Sequence, residues 1–197
     1  MRSIAVINQK GGVGKTTTVA NLSAVLASRG QRVLVIDLDP QAHLTINLGV
    51  EPAADTTGIY GVLTESVPLG EATVWCRDNL WLVPSHTDLA AAELELVSVL
   101  GREVILRDAL EPVQEQFDYL LIDCPPSLSL LTINALAAVG EVFIPLQPHF
   151  LALQGLGKLL DETIRLVARR INPGLRVTGV VLTMYEGTAR LTGEVVE

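Results

Sequence analysis

Ser3-Ile4-Ala5-Val6-Ile7-Asn8-Gln9-Lys10-Gly11-Gly12-Val13-Gly14-Lys15-Thr16-Thr17 is the stretch that decides the architecture of this 197-residue chain. Ile4 to Ile7 is an apolar run of strand length. A glycine-rich loop follows, and a helical pattern runs from Lys15 to Arg29, closed by Gly30. Strand, glycine loop and helix in that order make a phosphate cradle. Glycines let backbone N–H groups curve around anionic oxygens with no side chain in the way. The helix N-terminus adds its dipole and its unpaired N–H groups. In such a P-loop Lys15 reaches the β- and γ-phosphates and Thr16 places its hydroxyl on Mg²⁺. Thr17 is placed to contact the α-phosphate. Lys10, Gly11, Gly12, Val13, Gly14, Lys15, Thr16 and Thr17 are therefore the expected nucleotide-binding residues.

Outward from the loop, apolar runs alternate with helical patterns. Val33-Leu34-Val35-Ile36, Tyr119-Leu120-Leu121-Ile122 and Val142-Phe143-Ile144 read as strands, as do Leu80 to Val83, ended by Pro84, and Arg176 to Leu182. Strands that are continuous aliphatic runs are buried on both faces, as in a parallel sheet. Thr56 to Leu69 predicts a short helix with loops. Leu89 to Leu110 predicts a helix broken near Gly101, and Ile133 to Val139 and Gly155 to Arg170 predict two more. Arg190 to Glu197 reads as a helix just starting, with no cap or breaker. The expectation is an α/β P-loop fold, with a mostly parallel central sheet, helices on both faces and right-handed crossovers. No repeat, linker or low-complexity tract divides it, so residues 1–197 read as a single domain, whose last helix is either terminal or continues into further C-terminal elements.

Composition agrees. Nearly half the residues are apolar (49%) and only 4% aromatic, which favours an aliphatic α/β core over an aromatic β-sandwich. The net charge of -8 gives no general attraction to nucleic acid or anionic lipid, though it leaves room for a local basic patch. Cys76 and Cys124 form no CxxC pair or Cys/His cluster, so neither a zinc site nor a disulfide framework is expected. His43, His86 and His149 are scattered without ligand spacing, and Trp75 and Trp81 read as packing residues. No secretory signal opens the chain and no charge-free apolar run reaches the ~20 residues of a membrane span. A soluble cytoplasmic protein without a transmembrane segment is expected.

Two further motifs carry chemistry. In Leu120-Leu121-Ile122-Asp123-Cys124-Pro125-Pro126-Ser127 an acid ends an apolar strand, the Walker B arrangement. Asp123 is expected to hold Mg²⁺ through a water, since this hard cation keeps part of its hydration shell. Pro125 and Pro126 stiffen a loop that can sense the γ-phosphate. In Asp37-Leu38-Asp39-Pro40-Gln41 two carboxylates end the second strand, facing the crevice outside the carboxyl ends of the strands. Asp39, farther out, is assigned the attacking water; Asp37 takes a Mg²⁺-shell or structural role. Gln9 stands where the general P-loop pattern has glycine, and Lys10 is an extra lysine. Lys10 either serves a nucleotide bound by a second subunit, as an arginine finger does, or is a solvated surface lysine.

Together Lys10–Thr17, Asp37–Gln41 and Asp123–Ser127 resemble the ParA/Soj branch of the deviant Walker ATPases, the superfamily that includes the MinD group. Leu182-Thr-Met-Tyr185 and Leu131-Thr-Ile-Asn-Ala135 are also similar to ParA-type stretches. The resemblance covers essentially all of the chain. It implies a chromosome- or plasmid-partitioning ATPase that hydrolyses ATP to ADP and phosphate with Mg²⁺ and forms an ATP-bound sandwich homodimer. Lys10, Lys15 and Asp39 are then catalytic, with Lys10 crossing to the partner's nucleotide. Asp39, Pro40, Gln41, Pro125 and Pro126 form the switch segments. It further implies slow turnover stimulated by a ParB-like partner, and non-specific DNA binding by the ATP dimer, which places it on the nucleoid. Arg190 matches an arginine-bearing stretch of the DNA-binding region. Family members run some tens of residues longer, and Ala42-His43 stands where they often have Gly-Asn. No helix-turn-helix precedes the P-loop, which resembles the short chromosomal type. The alternative is a MinD-like positioning ATPase on a membrane, which requires a C-terminal amphipathic helix. A metabolic enzyme on the same fold, such as an iron–sulfur reductase or a ligase, is the third reading.

Overall fold

The computed structural model describes residues 1–52, 57–148 and 155–185. A seven-stranded sheet forms its centre. The strands are β1 (Arg2–Val6), β2 (Val33–Asp37), β3 (Val74–Arg77), β4 (Leu80–Val83), β5 (Tyr119–Asp123), β6 (Glu141–Leu146) and β7 (Arg176–Leu182), in the spatial order β3-β4-β2-β5-β1-β6-β7. Every neighbouring pair is parallel except β3 with β4, an antiparallel edge hairpin with a register shift between Trp75 and Arg77.

The aliphatic runs alternate between two cores. Val33 and Val35 of β2 face one side of the sheet, and Leu34 and Ile36 the other. Ile4 and Val6 of β1 join the first core, and Ala5 and Ile7 the second. The first core is closed by α1 (Lys15–Ser28) through Val19 and Ala27, and by α2 (His43–Asn47) through Leu44. The second is closed by α3 (Ile59–Thr64), α4 (Leu89–Glu95), α5 (Ile105–Leu110), α6 (Leu130–Ala138) and α7 (Arg165–Arg170). Helices on both faces of a mostly parallel sheet are the expected architecture.

The departures are local. Gly101 is left-handed (φ 73°) and breaks the 89–110 segment as expected, leaving α4 with a 3₁₀ turn (Leu96–Ser98) before the break and α5 after it. The expected long helix over 155–170 contains a π-helical stretch at Leu159–Ile164 before α7 begins. Trp75 is not a packing residue: it lies on the edge strand and is 64% exposed. Trp81 does pack, edge-on to Phe117 with ring centroids 5.5 Å apart. Asn134, fully buried on α6, accepts the Leu106 N–H (3.1 Å) and donates to the carbonyls of Arg102 (2.7 Å) and Leu130 (3.1 Å). It thereby ties the turn after Gly101 to the sheet's helical cover. No helix among the described residues is long and apolar enough to cross a membrane.

Candidate nucleotide site

β1, β2 and β5 are adjacent and parallel, so their carboxyl ends open on one crevice, where α/β folds bind ligands. Register puts Asp37 directly opposite Asp123 and Asp123 opposite Val6. The loop leaving β1 arches over this end and enters α1 at Gly14, whose φ of 90° is left-handed. A side chain there would be strained, and its Cβ would lie 3.5 Å from Thr183 Cγ2. No side chain caps α1, so its first-turn donors face the cleft. Asn8 steadies the loop from below: its Nδ2 donates to the Pro145 carbonyl (2.7 Å) and its Oδ1 accepts the Lys10 N–H (3.0 Å). Thr183 steadies it from above, its hydroxyl donating to the Val13 carbonyl (2.8 Å).

The cleft holds about 700 Å³ and is bordered by Gly12, Lys15, Thr16, Asp39, Pro126 and Met184 among others. Lys15 is 7% exposed and its Nζ donates to the Lys10 carbonyl (3.3 Å). Desolvation lowers its pKa, against the pull of Asp123, Asp39 and Cys124. Asp123 is 1% exposed, and neither of its carboxylate oxygens has a hydrogen-bond partner among the described residues. Burial pushes its pKa up to about 7; the adjacent Thr16 hydroxyl, though not closing a hydrogen bond, and Lys15 oppose the rise. A buried acid with both oxygens unmet is costly unless something else meets them. A divalent cation carrying its own waters does so.

Asp37 differs. Its Oδ2 accepts both the N–H (2.9 Å) and the hydroxyl (2.7 Å) of Thr45, and its Oδ1 accepts the Asp39 N–H (3.1 Å). Burial raises its pKa to about 6 against these donors. Of the two roles open to it, this geometry favours the structural one. Asp39 is partly exposed and on the cleft wall, with Oδ1 accepting the Gln41 N–H (3.0 Å). Pro40, Gln41, Pro125 and Pro126 also line the cleft. Lys10 is exposed at the rim, its Nζ donating to Gln147 Oε1 (3.3 Å). Cys124 is buried, and desolvation pushes its thiol pKa well up, so it is an inert packing group. Arg190 and His149 lie outside the described residues.

The residues present fit a magnesium nucleotide. The glycine loop leaves open space at Gly11 and Gly12, and Lys15 lines the cleft beside them; Thr16 and, through a water, Asp123 would hold the ion. Among the described residues no group of three or more His, Cys, Asp and Glu side chains is arranged as a self-sufficient metal site. A magnesium ion at this site would be held by one or two side chains, its waters and the phosphates it accompanies. When bound, such an ion neutralises charge on the phosphates.

Three braces escaped sequence reasoning: Thr45, Thr183 and Ser85, whose hydroxyl donates to the Asp39 carbonyl (2.7 Å). Thr183 stands in the ParA-like stretch 182–185, a signal that pointed to the segment and not to the hydroxyl.

An AAA-domain family model matches residues 1–177. The chain is 48% identical over 197 residues to the sporulation initiation inhibitor protein Soj of Bacillus subtilis, covering 98% of this chain and 77% of Soj. It is 47% identical to the chromosome partitioning protein ParA of Myxococcus xanthus, covering 100% of this chain and 69% of that one. Among solved structures, a cobyrinic acid a,c-diamide synthase from Mycobacterium smegmatis, with bound ATP analogue and magnesium, superposes with a TM-score of 0.93 at 42% identity, covering 100% of this chain and 80% of that one. McdA of Cyanothece, also solved with ATP, superposes at 0.91 with 27% identity, covering 100% of this chain and 76% of that one. The phosphate loop, the cation-ready Asp123 and these likenesses agree: this is a Mg²⁺- and ATP-dependent P-loop ATPase, and the chain belongs to the ParA/Soj family of the ParA/MinD superfamily.

Proposed function

We propose that this ATPase is a chromosome- or plasmid-partitioning switch. ATP drives homodimerisation and non-specific DNA binding on the nucleoid, within the cytoplasm. Hydrolysis, stimulated by a ParB-like partner, resets the monomer. The observation that carries the reading is the pairing of a complete single-subunit phosphate site with one surplus lysine. Lys15 is buried against the phosphate loop, while Lys10 is exposed on the rim. A second cation at the rim suits phosphates presented by another protomer, where it stabilises transition-state charge in trans. Asp39 on the cleft wall orients the attacking water, since in-line phosphoryl transfer needs positioning more than strong base chemistry. The Soj and ParA relatives add weight, one being named for chromosome partitioning.

The test is DNA co-sedimentation with ATP and with ADP across a salt series. The reading expects binding with ATP only, falling steeply as salt rises, because phosphate-backbone contacts release counterions. Binding to anionic liposomes and not to DNA would instead establish the MinD-like alternative. The Mycobacterium smegmatis likeness favours one further reading, an amide-forming synthase. That reading requires turnover that depends on a carboxylic acid acceptor and a nitrogen donor, whereas the partitioning switch turns over ATP without either.

A further inference from the structure

We propose that Thr45 and Ser85 are positioning residues for the hydrolytic step assigned to Asp39, an inference that rests on that assignment. Asp39 sits on the loop between β2 and α2, and a carboxylate on a free loop would not hold an attacking water in line. The main chain of Asp39 is, however, fixed from three directions. Its N–H donates to Asp37 Oδ1 (3.1 Å), and its carbonyl accepts the Ala42 N–H (2.9 Å) and the Ser85 hydroxyl (2.7 Å). Ser85 comes from a different part of the sheet, 46 residues away in sequence and two residues past the end of β4.

Ser85 is itself held. Its N–H donates to Thr45 Oγ1 (3.0 Å), and Thr45 donates through both its hydroxyl (2.7 Å) and its N–H (2.9 Å) to Asp37 Oδ2. The chain of bonds leaves the β2 terminus at Asp37, passes through Thr45 and Ser85, and returns to the same loop at Asp39. Each hydroxyl has one proton. Thr45 gives its proton to the carboxylate and accepts from the Ser85 backbone; Ser85 gives its proton to Asp39. The direction of the ring is thus fixed. Asp37 and Thr45 are fully buried and Ser85 is 2% exposed, so water does not compete for these bonds.

The ring clamps the peptide that carries Asp39 and therefore the direction in which its side chain enters the cleft. None of its hydrogen bonds reaches the glycine loop or Lys15, so it acts on the direction of Asp39 rather than on the phosphate cradle. Removing the Ser85 hydroxyl leaves the Ala42 and Asp37 bonds in place. The loop still forms but gains freedom in the coordinate that matters, where a displacement of about 1 Å can cost on the order of a hundredfold in rate.

The test is steady-state ATP hydrolysis by the full chain bearing Ser85→Ala, Thr45→Val, Thr45→Ser or Asp39→Ala. Both Ser85→Ala and Thr45→Val should lower kcat about tenfold or more, with the KM for ATP within about twofold of the parent. Thr45→Ser, which keeps the hydroxyl, should restore most of the rate, a rescue that a loss of core packing would not give. Parent-like kcat in folded Ser85→Ala, while Asp39→Ala is inactive, overturns the inference and leaves the Asp39 assignment standing. Parent-like kcat in Asp39→Ala removes that assignment and the inference with it. Should Thr45→Val fail to fold, Ser85→Ala, which deletes a single donor, decides alone.

Discussion

Replacing Asp123 by asparagine should stabilise the metal-free protein, and by an amount that grows with pH. Asp123 is buried with both oxygens unpartnered, and its pKa stands at about 7 against an ordinary 3.8. Because the folded-state value lies above the ordinary one, the contribution of the protonated acid is whole below about pH 3.8 and is lost as pH rises through about 7. At about 1.4 kcal/mol per tenfold change in proton affinity, this group costs the fold about 2 kcal/mol at pH 5, where it keeps a proton that the unfolded chain sheds, and about 4 kcal/mol at pH 8, where it is ionised while buried. Asparagine has the same shape and no charge to desolvate.

The assay is thermal unfolding of parent and Asp123→Asn in EDTA between pH 5 and pH 8. For a chain of this size each kcal/mol moves Tm by roughly 2–4 °C, so the variant should lead by roughly 8–16 °C at pH 8 and by about half that at pH 5. Adding Mg²⁺ with ADP should raise the Tm of the parent by more than that of the variant, which keeps the phosphate loop and loses the charge that holds the ion. A difference that is flat with pH, or a variant less stable than the parent at pH 8, would refute the claim that burial outweighs Lys15 and Thr16 and leaves Asp123 a costly acid in the absence of a cation.

Lys15→Ala should abolish ATP binding, measured with a fluorescent analogue; retained micromolar affinity would sink the phosphate-loop assignment. Lys10→Ala should bind ATP but remain monomeric in light scattering, since the rim lysine is assigned to the partner's nucleotide. Gly58→Ala should cost about 1–3 kcal/mol by overpacking. The new Cβ would lie 2.5 Å from the Pro84 carbonyl oxygen, which now accepts the Ile59 N–H (2.9 Å), and an unchanged denaturant midpoint would show that the backbone yields there.

What could be read from the sequence was whatever a local pattern enforces. The phosphate loop must be glycine, lysine and threonine in register between a strand and a helix, and the structure places Gly11 to Thr17 so. The strands β4 and β7 span the residues expected of them, Leu80–Val83 and Arg176–Leu182. Two short elements left no such trace. α2 is a five-residue helix that starts from a left-handed Ala42 without a side-chain cap, and β3 has four residues with its tryptophan turned to solvent. Hydroxyls were the blind spot at the site. Thr45, Ser85 and Thr183 act through partners 8, 40, 46 and 170 residues away, and a lone threonine or serine carries no periodicity that announces a tertiary bond. For the same reason the sequence left Asp37 between a Mg²⁺-shell and a structural role. Asp37 and Asp123 both end an aliphatic strand, and only the presence of Thr45 beside one of them separates a satisfied acid from an unsatisfied one.

The strand order has a consequence in time. β1, which leads into the phosphate loop, is hydrogen-bonded to β5 and β6, whose residues begin at Tyr119 and Glu141. At synthesis rates of roughly 5–20 residues per second, its first neighbour leaves the ribosome many seconds after it. The strand that leads into the phosphate loop is thus made well before the strands that flank it. Until then its Ile4-Ala5-Val6-Ile7 run has no strand on either side, an aliphatic ribbon for a chaperone to cover.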